Sequence, residues 1–379
     1  MKLLLNFIPI KKGGGQQVAT NFVNQIVKYK NINLVFLVTE GTYIHSLLKT
    51  KDLNIIEVKN NLFLRFLFQK FRLHNIVSEY NIDIIYTMFG PSIKSKNTLS
   101  VSGCAYSNIF FPEINFWNDH SFLNKIKLKI IDTYRLKSTL NSDAIIFENK
   151  SMQLRANELF NYPLAKTKLI LPSISEYKSS NLEDISQFNE INRNHFNILM
   201  LTGWHKNKNL EIIPLILEKL KNIGHNDVSF VVSVKNDHPN SIKLLNHARK
   251  LNVLENIILI GSVEPNYLPL LFKKINAVGL FSLLESFSNN IIEAWYFQKP
   301  LFISDLEWSR AICKNAAIYI DRVSAIDITD NIINYRNNKV LQQTIKTNAK
   351  SILTQYPSPD EKVKIQLNYL KQLLNESKN

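Results

Sequence analysis

The stretch "NAVGLFSLLESFSNNIIEAWYFQKPLFISD", Asn276 to Asp305, decides how this chain folds. It opens on an apolar run too short for a helix and passes through a small polar loop. An apolar pattern of helical spacing follows, and Pro300 leads into a second short apolar run. Runs rich in Ile, Leu, Val and Phe on either side of a helix read as neighbouring strands of a parallel sheet.

Within that unit Glu285 closes the first strand and Glu293 lies inside the helix. Two readings of the acids stand side by side. If the helix starts near Ser288 to Asn290, its first N–H groups form an anion site at the positive end of the dipole. Glu293 would then accept hydrogen bonds from vicinal hydroxyls such as those of a ribose, and Glu285 would bind a second ring across a diphosphate. Alternatively Asn290 caps the helix, Glu293 completes a capping box, and Glu285 is a solvated loop acid.

The same alternation extends outward in both directions. "KLLLNFI", "INLVFLV", "LNIIEV", "DIIYTM", "TLSVSG" and "DAIIFE" read as strands, with helices expected at Gln16–Tyr29, Leu62–Glu79 and Phe122–Leu140. The pattern breaks across "ILPSISEYKSSNLEDISQFNEINRNHF", a Ser- and Asn-rich tract of linker composition. It restarts with "FNILMLT", "VSFVVSV", "NIILIG", "NAVGLF", "PLFIS" and "AAIYI", with helices expected at Asn209–Ile223, Ser241–Leu251, Asn266–Lys274 and Asn290–Phe297. The expected fold is α/β, with two Rossmann-like domains facing across a cleft. The boundaries drawn are 1–172, a linker at 173–195, a second domain at 196–355, and a final helix at 356–379 that returns to the first domain.

Composition narrows the class. The 379 residues are 45% hydrophobic and 20% charged, a globular balance with room for two cores. The formal charge of +15 favours anionic partners: nucleic acid, an anionic membrane surface or phosphorylated substrates. Cys104 and Cys313 are far apart in sequence, which points to a reducing cytoplasm rather than a disulfide framework. The start "MKLLLNFIPIKKGGG" reads as a first strand and glycine loop rather than a signal peptide. No run approaches the ~18 apolar residues of a spanning helix.

The residues around the two glutamates resemble the donor-site signature of the GT-B glycosyltransferases of family 4, the group 1 transferases. The signature is a glutamate, seven residues, then a second glutamate. Ser282, Glu285, Ser286, Phe287, Glu293 and Ala294 match it, while Phe281 replaces the usual proline. "LTGWHKNKNLEIIPLILEKLK" is similar to the family's strand, glycine loop and helix. Lys208 stands at the position of the lysine that neutralises the donor diphosphate, and Trp204 replaces the usual arginine after Gly203. The resemblance implies a retaining, metal-independent transferase with no cofactor beyond a UDP- or GDP-linked sugar donor. Glu285 and Lys208 would be catalytic. Glu293, Phe287, Ser288, Asn289, Gly203, His205, Gly261, Ser262, Gly14 and Gly15 would line the donor site, with Lys206 assisting beside His205.

On the acceptor side the family's histidine has no counterpart at Ser102, Gly103 or Cys104. Tyr106 and, in the aromatic loop "FFPEINFWNDHSF", His120 are the candidates there, against a reading of His120 as a surface residue. Glu148 matches a residue that is structural or lines the cleft. The implied partners are a nucleotide sugar, a glycan or lipid-linked acceptor for bacterial surface polysaccharide, and an anionic membrane contacted peripherally from the cytoplasmic side. Two basic aromatic segments, "NLFLRFLFQKFRLHNIV" and "NKIKLKIIDTYRLK", suit such a contact, although the first also reads as a buried helix. Nucleic acid is disfavoured because neither RNP-type aromatics nor a helix-turn-helix pattern is present. No HExxH, GxSxG, Walker loop or DxD motif occurs. A nucleotide-sugar epimerase of the same fold and a non-catalytic binding protein remain as alternatives.

Overall fold

A computed structural model describes residues 1–11, 14–118, 120–174, 177 and 185–378. The chain divides into two compact units, Met1–Ser173 with Pro357–Asn379, and Ile174–Tyr356.

In the first unit the chain runs β1 (Lys2–Asn6), α1 (Gly14–Ile26), β2 (Asn33–Thr39), α2 (Tyr43–Lys49), β3 (Ile55–Val58), α3 (Leu62–Leu67) and α4 (Leu73–Glu79). It continues through β4 (Ile84–Thr87), β5 (Leu99–Cys104), α5 (Phe122–Leu140), β6 (Ala144–Phe147), α6 (Lys150–Phe160) and β7 (Thr167–Leu169). Among the described residues these strands form one parallel sheet in the order β3-β2-β1-β4-β5-β6-β7. Strands buried on both faces read as unbroken apolar runs, and Leu3, Leu4 and Leu5 of β1 are all 0% exposed.

One expected element is divided. The helix read over Leu62–Glu79 contains a π turn at Phe68–Arg72 between α3 and α4, with Leu73 N bonded to the Phe68 carbonyl. The wider turn lets Phe68 and Leu73, five residues apart, both enter the core beside Leu4, Val35 and Ile85. Phe66 and Phe71 are left outside, 58% and 59% exposed.

The last helix, α14 (Pro359–Glu376), starts with a capping box between Ser358 and Glu361. It belongs to the first unit, where Val363, Leu367 and Leu370 join the core formed with α1. Lys362 forms a buried ion pair with Glu148, and Gln366 donates to Tyr86 at 2.9 Å. Glu148 is thus a structural anchor for the final helix.

The second unit contains β8 (Phe196–Met200), α7 (Ile213–Asn222), β9 (Val228–Val232), α8 (Pro239–Lys250), β10 (Ile257–Leu259), α9 (Leu268–Lys274) and β11 (Ala277–Leu280). After these come α10 (Asn289–Tyr296), β12 (Leu301–Ser304), α11 (Glu307–Cys313), β13 (Ile318–Ile320), α12 (Ala325–Asn337) and α13 (Lys339–Leu353). Its described strands make a parallel sheet ordered β10-β9-β8-β11-β12-β13. The order reverses between β8 and β11, so the loops leaving these two strands lie side by side at their carboxyl ends, where such sheets bind ligands.

Candidate functional site

The loop from Phe281 to Ser288 leaves β11 and is held along its backbone. Arg322 Nε donates to the Phe281 carbonyl at 3.0 Å, and Trp308 Nε1 to that of Leu283 at 3.2 Å. Asn207 meets the same loop from the β8 side. Its carbonyl accepts from Leu283 N at 2.9 Å, its Oδ1 accepts from Leu284 N at 2.9 Å, and its Nδ2 donates to the Leu284 carbonyl at 2.8 Å. A loop whose polar groups are paired in this way presents its next side chain, Glu285, in a fixed place.

Glu285 forms an ion pair with Lys208 and lies 3.4 Å from Asn207 Nδ2. The two charged side chains are 16% and 23% exposed, so Glu285 is not a solvated acid. Lys208 sits on a one-turn 3-10 helix, Lys206–Lys208, where His205 Nδ1 accepts from Asn207 N at 3.1 Å. Asn209 then takes φ +56°, turning the chain toward α7.

Helix α10 begins at Asn289, with Ser288 as N-cap residue in an extended conformation and no side-chain cap bond. Asn290 does not cap: its Nδ2 donates to the Leu201 carbonyl at 2.7 Å. Glu293 is 4% exposed and points away from any capping box. Its Oε1 accepts from the Tyr177 hydroxyl at 3.1 Å, while Oε2 has no partner among the described residues. The Tyr177 ring is packed 5.1 Å from Tyr296 and 5.0 Å from Phe297. Burial raises the Glu293 pKa to about 7 against the opposing pull of the Tyr177 hydroxyl. A buried carboxyl with one unpaired oxygen is costly to stability, which makes it a ligand-binding candidate.

The remaining donor-side residues occupy the flanking loops. Gly203 is exposed, and a Cβ built there meets nothing within 4 Å. Trp204 turns inward instead of toward a ligand: its indole N–H donates to Ser241 Oγ at 2.8 Å and its ring stacks on His238 at 5.8 Å. Gly261 adopts φ +68° after β10, and the flanking carbonyls of Ile260 and Ser262 both accept from Gln187 Nε2. The Phe287 ring lies 6.0 Å from that of Tyr356.

Gly14 and Gly15 belong to the first unit. They are not loop residues but the first two residues of α1; Gly13 lies outside the described residues. The ordinary 3.8 Å approach of Ile10 to a Cβ at Gly15 gives no steric need for glycine there. Tyr106 is half-buried under Arg135, whose guanidinium lies 4.3 Å from the ring centre, and burial raises its hydroxyl pKa. His120 is exposed, with its ring 5.6 Å from that of Trp117. The aromatic loop is tied down by Asp132, which accepts from Trp117 Nε1 at 2.6 Å and Asn108 Nδ2 at 2.7 Å. No cluster of three metal-binding side chains occurs among the described residues.

Residues 182–352 match the family described as glycosyl transferases group 1. The match spans most of the second unit. The fold of the chain agrees with that family. It is similar to a glycosyltransferase from Rickettsia africae, at 16% identity and a TM-score of 0.73, covering 98% of both chains. It is also similar to Anabaena HepE solved with UDP and glucose, at 16% identity and a TM-score of 0.69, over 98% of this chain and 100% of that one. Sucrose-phosphate synthase from Thermosynechococcus elongatus aligns over the whole of both chains, at 10% identity and a TM-score of 0.74. No curated protein matches the sequence. The chain has the GT-B fold, and its second unit carries the match to group 1 glycosyl transferases.

The second unit brings Glu285, Lys208 and His205 into one bonded group through Asn207. Glu293 lies on the helix that follows, and Ser288 is its N-cap residue. Three residues with no distinguishing sequence signal also take part: Asn207 as a clamp, Tyr177 on Glu293, and Gln187 on the loop holding Gly261. Tyr177 falls in the polar tract of linker composition, and Asn207 is one of many asparagines in an Asn-rich chain.

Proposed function

We propose that the protein transfers a sugar from a UDP-linked donor to a lipid-linked glycan, with retention at the anomeric carbon and without a metal. The observation that carries this reading is Glu293, a buried carboxyl with one oxygen unpaired among the described residues, one turn into α10 and just after the loop that displays Glu285. A ribose diol supplies two hydroxyl donors to such a carboxylate. The first N–H groups of α10 and Lys208 suit a diphosphate, and Glu285 suits hydroxyls of the transferred sugar. The UDP and glucose in the Anabaena structure favour uridine over guanosine as the base. Retention follows the family pattern, with the acceptor entering on the face from which the diphosphate departs.

In this reading the protein builds surface polysaccharide at the cytoplasmic face of a membrane, and Tyr106 and His120 serve the acceptor. The membrane contact in this reading is peripheral; no helix among the described residues is long and apolar enough to cross a bilayer. The match to a transferase family favours transfer over epimerisation.

Thermal-shift titration with UDP, GDP and ADP tests the donor. A ligand that binds the folded state raises its melting temperature, and the expected shift comes with UDP and disappears in Glu293→Ala. A shift with oligonucleotides and none with nucleotides refutes the reading. Donor hydrolysis followed by NMR should give the retained anomer first, and its rate should survive EDTA.

A further inference from the structure

The first unit exposes more large apolar side chains on α5 than a solvated helix needs. Phe122 is 76% exposed, Leu123 77%, Ile126 45%, Ile130 65% and Tyr134 52%. Phe122, Ile126, Ile130 and Tyr134 recur every four residues and form one ridge, roughly 18 Å long at the helical rise. Thr139 is the one fully buried residue of the helix. On a helical projection it falls opposite Ile130, so the ridge is the face turned farthest from the core. Lys127 lies on one flank of the ridge, Lys125 and Lys129 on the other, and Lys137 near its end. The single acid of the helix, Asp132, is bound inward to Asn108, Trp117 and Arg135.

A second patch lies on the same side of the sheet. The steps from β3 to β4 and from β5 to β6 both move in one direction along the strand order, so right-handed crossovers place α3–α4 and α5 on one face. There Phe63 is 67% exposed, and Phe66 and Phe71 flank Lys70, whose ammonium lies 5.9 and 5.3 Å from their ring centres.

We propose that this face, with the α5 ridge as its main contact, docks on an anionic lipid bilayer. The apolar ridge enters the acyl boundary while the flanking lysines meet lipid phosphates. A second copy of the chain is the poorer occupant, because pairing two α5 ridges sets eight flanking lysines against one another. A wholly aqueous role leaves the aligned phenylalanine, leucine and isoleucines unexplained. The proposal deepens the peripheral membrane contact proposed above by naming its surface, and only in that respect does it rest on that reading.

Co-sedimentation of the full chain with vesicles of phosphatidylcholine, with and without phosphatidylglycerol, tests it. The expected result is binding that needs phosphatidylglycerol, weakens with salt, and falls about tenfold or more in Phe122→Ser/Ile130→Ser. Lys127→Glu/Lys129→Glu should also lose binding. Both pairs are exposed, so each variant should melt as the wild type does and keep the thermal shift with UDP. Failure of the wild type to bind, unchanged binding in both variants, or a dimer that either variant dissolves would overturn the proposal. A UDP shift without vesicle binding would remove the docking surface and leave the transferase standing; vesicle binding without a UDP shift would do the reverse.

Discussion

Glu293 makes stability depend on pH in a direction opposite to that of most carboxylates. Its folded pKa is about 7 against a reference of 4.5, with burial as the leading cause. Between those values the folded chain binds more protons than the unfolded one, so stability falls as pH rises and stays low above pH ~7. Ionisation of this one group should cost about 2–3 kcal/mol between roughly pH 5 and pH 8. Glu293→Gln removes the titration but keeps an oxygen that can accept from Tyr177. Its amide NH2 takes the place of the unpaired Oε2, a cost that does not vary with pH. The measurement is urea unfolding at several pH values, followed by tryptophan fluorescence. Trp204, Trp295 and Trp308 are in the second unit, so the signal is weighted toward the unit that holds Glu293. The wild-type minus variant difference should move against the wild type as pH rises. Tyr177→Phe, which removes the hydroxyl opposing the rise, should shift the window upward. Parallel curves for wild type and Glu293→Gln across the range would refute the argument.

Three further outcomes are expected. Asn207→Ala removes both side-chain bonds to Leu284, so it should cost about 1–3 kcal/mol in urea unfolding and lower kcat for donor hydrolysis more than it raises KM. Asn207→Asp, which keeps only the accepting half, should recover part of the loss. Gly103→Ala would drive its Cβ into the Met88 backbone carbonyl; thermal unfolding should show a loss of about 3 kcal/mol or more. Glu285→Gln should bind UDP alone more tightly than the wild type does in calorimetry, yet hydrolyse the donor about 100-fold or more slowly.

The α/β order was legible because parallel strands buried on both faces leave short, unmixed apolar runs, as in "KLLLN" and "VSFVV". The start of α10 was legible too, because Ser288 and the apolar spacing after it mark a helix boundary. The division of the segment from Leu62 to Glu79 was not, since the π turn carries no proline or glycine and shows itself only in which phenylalanine is buried. Helix α11, led by Leu306 rather than a polar cap residue, gave no start signal. In the site, the glutamates stood out by their spacing and their neighbours. Lys208 stood out by its loop, but its pairing with Glu285 across 77 residues did not, and neither did Tyr177, which meets Glu293 across 116.

In the proposed function, Trp204 standing where the family has an arginine changes how charge is supplied to a diphosphate. Trp204 is committed to Ser241 and His238. His205 accepts at Nδ1 from Asn207 N and so helps to hold the turn that carries Lys208. Lys208 brings a full charge, but Glu285 already balances it. A diphosphate must therefore compete with Glu285 for that ammonium, and breaking a partly buried pair is unfavourable while the carboxylate has no new partner. Hydroxyls of the donor sugar are such a partner, since a carboxylate accepts them readily. Sugar and diphosphate binding would then reinforce each other through one ion pair: the intact donor binds better than the free nucleotide, and loss of the sugar lets Glu285 reclaim Lys208 and weaken the hold on the diphosphate. Relieving that competition is why Glu285→Gln should tighten UDP while slowing the reaction, an opposition that a merely structural ion pair would not produce.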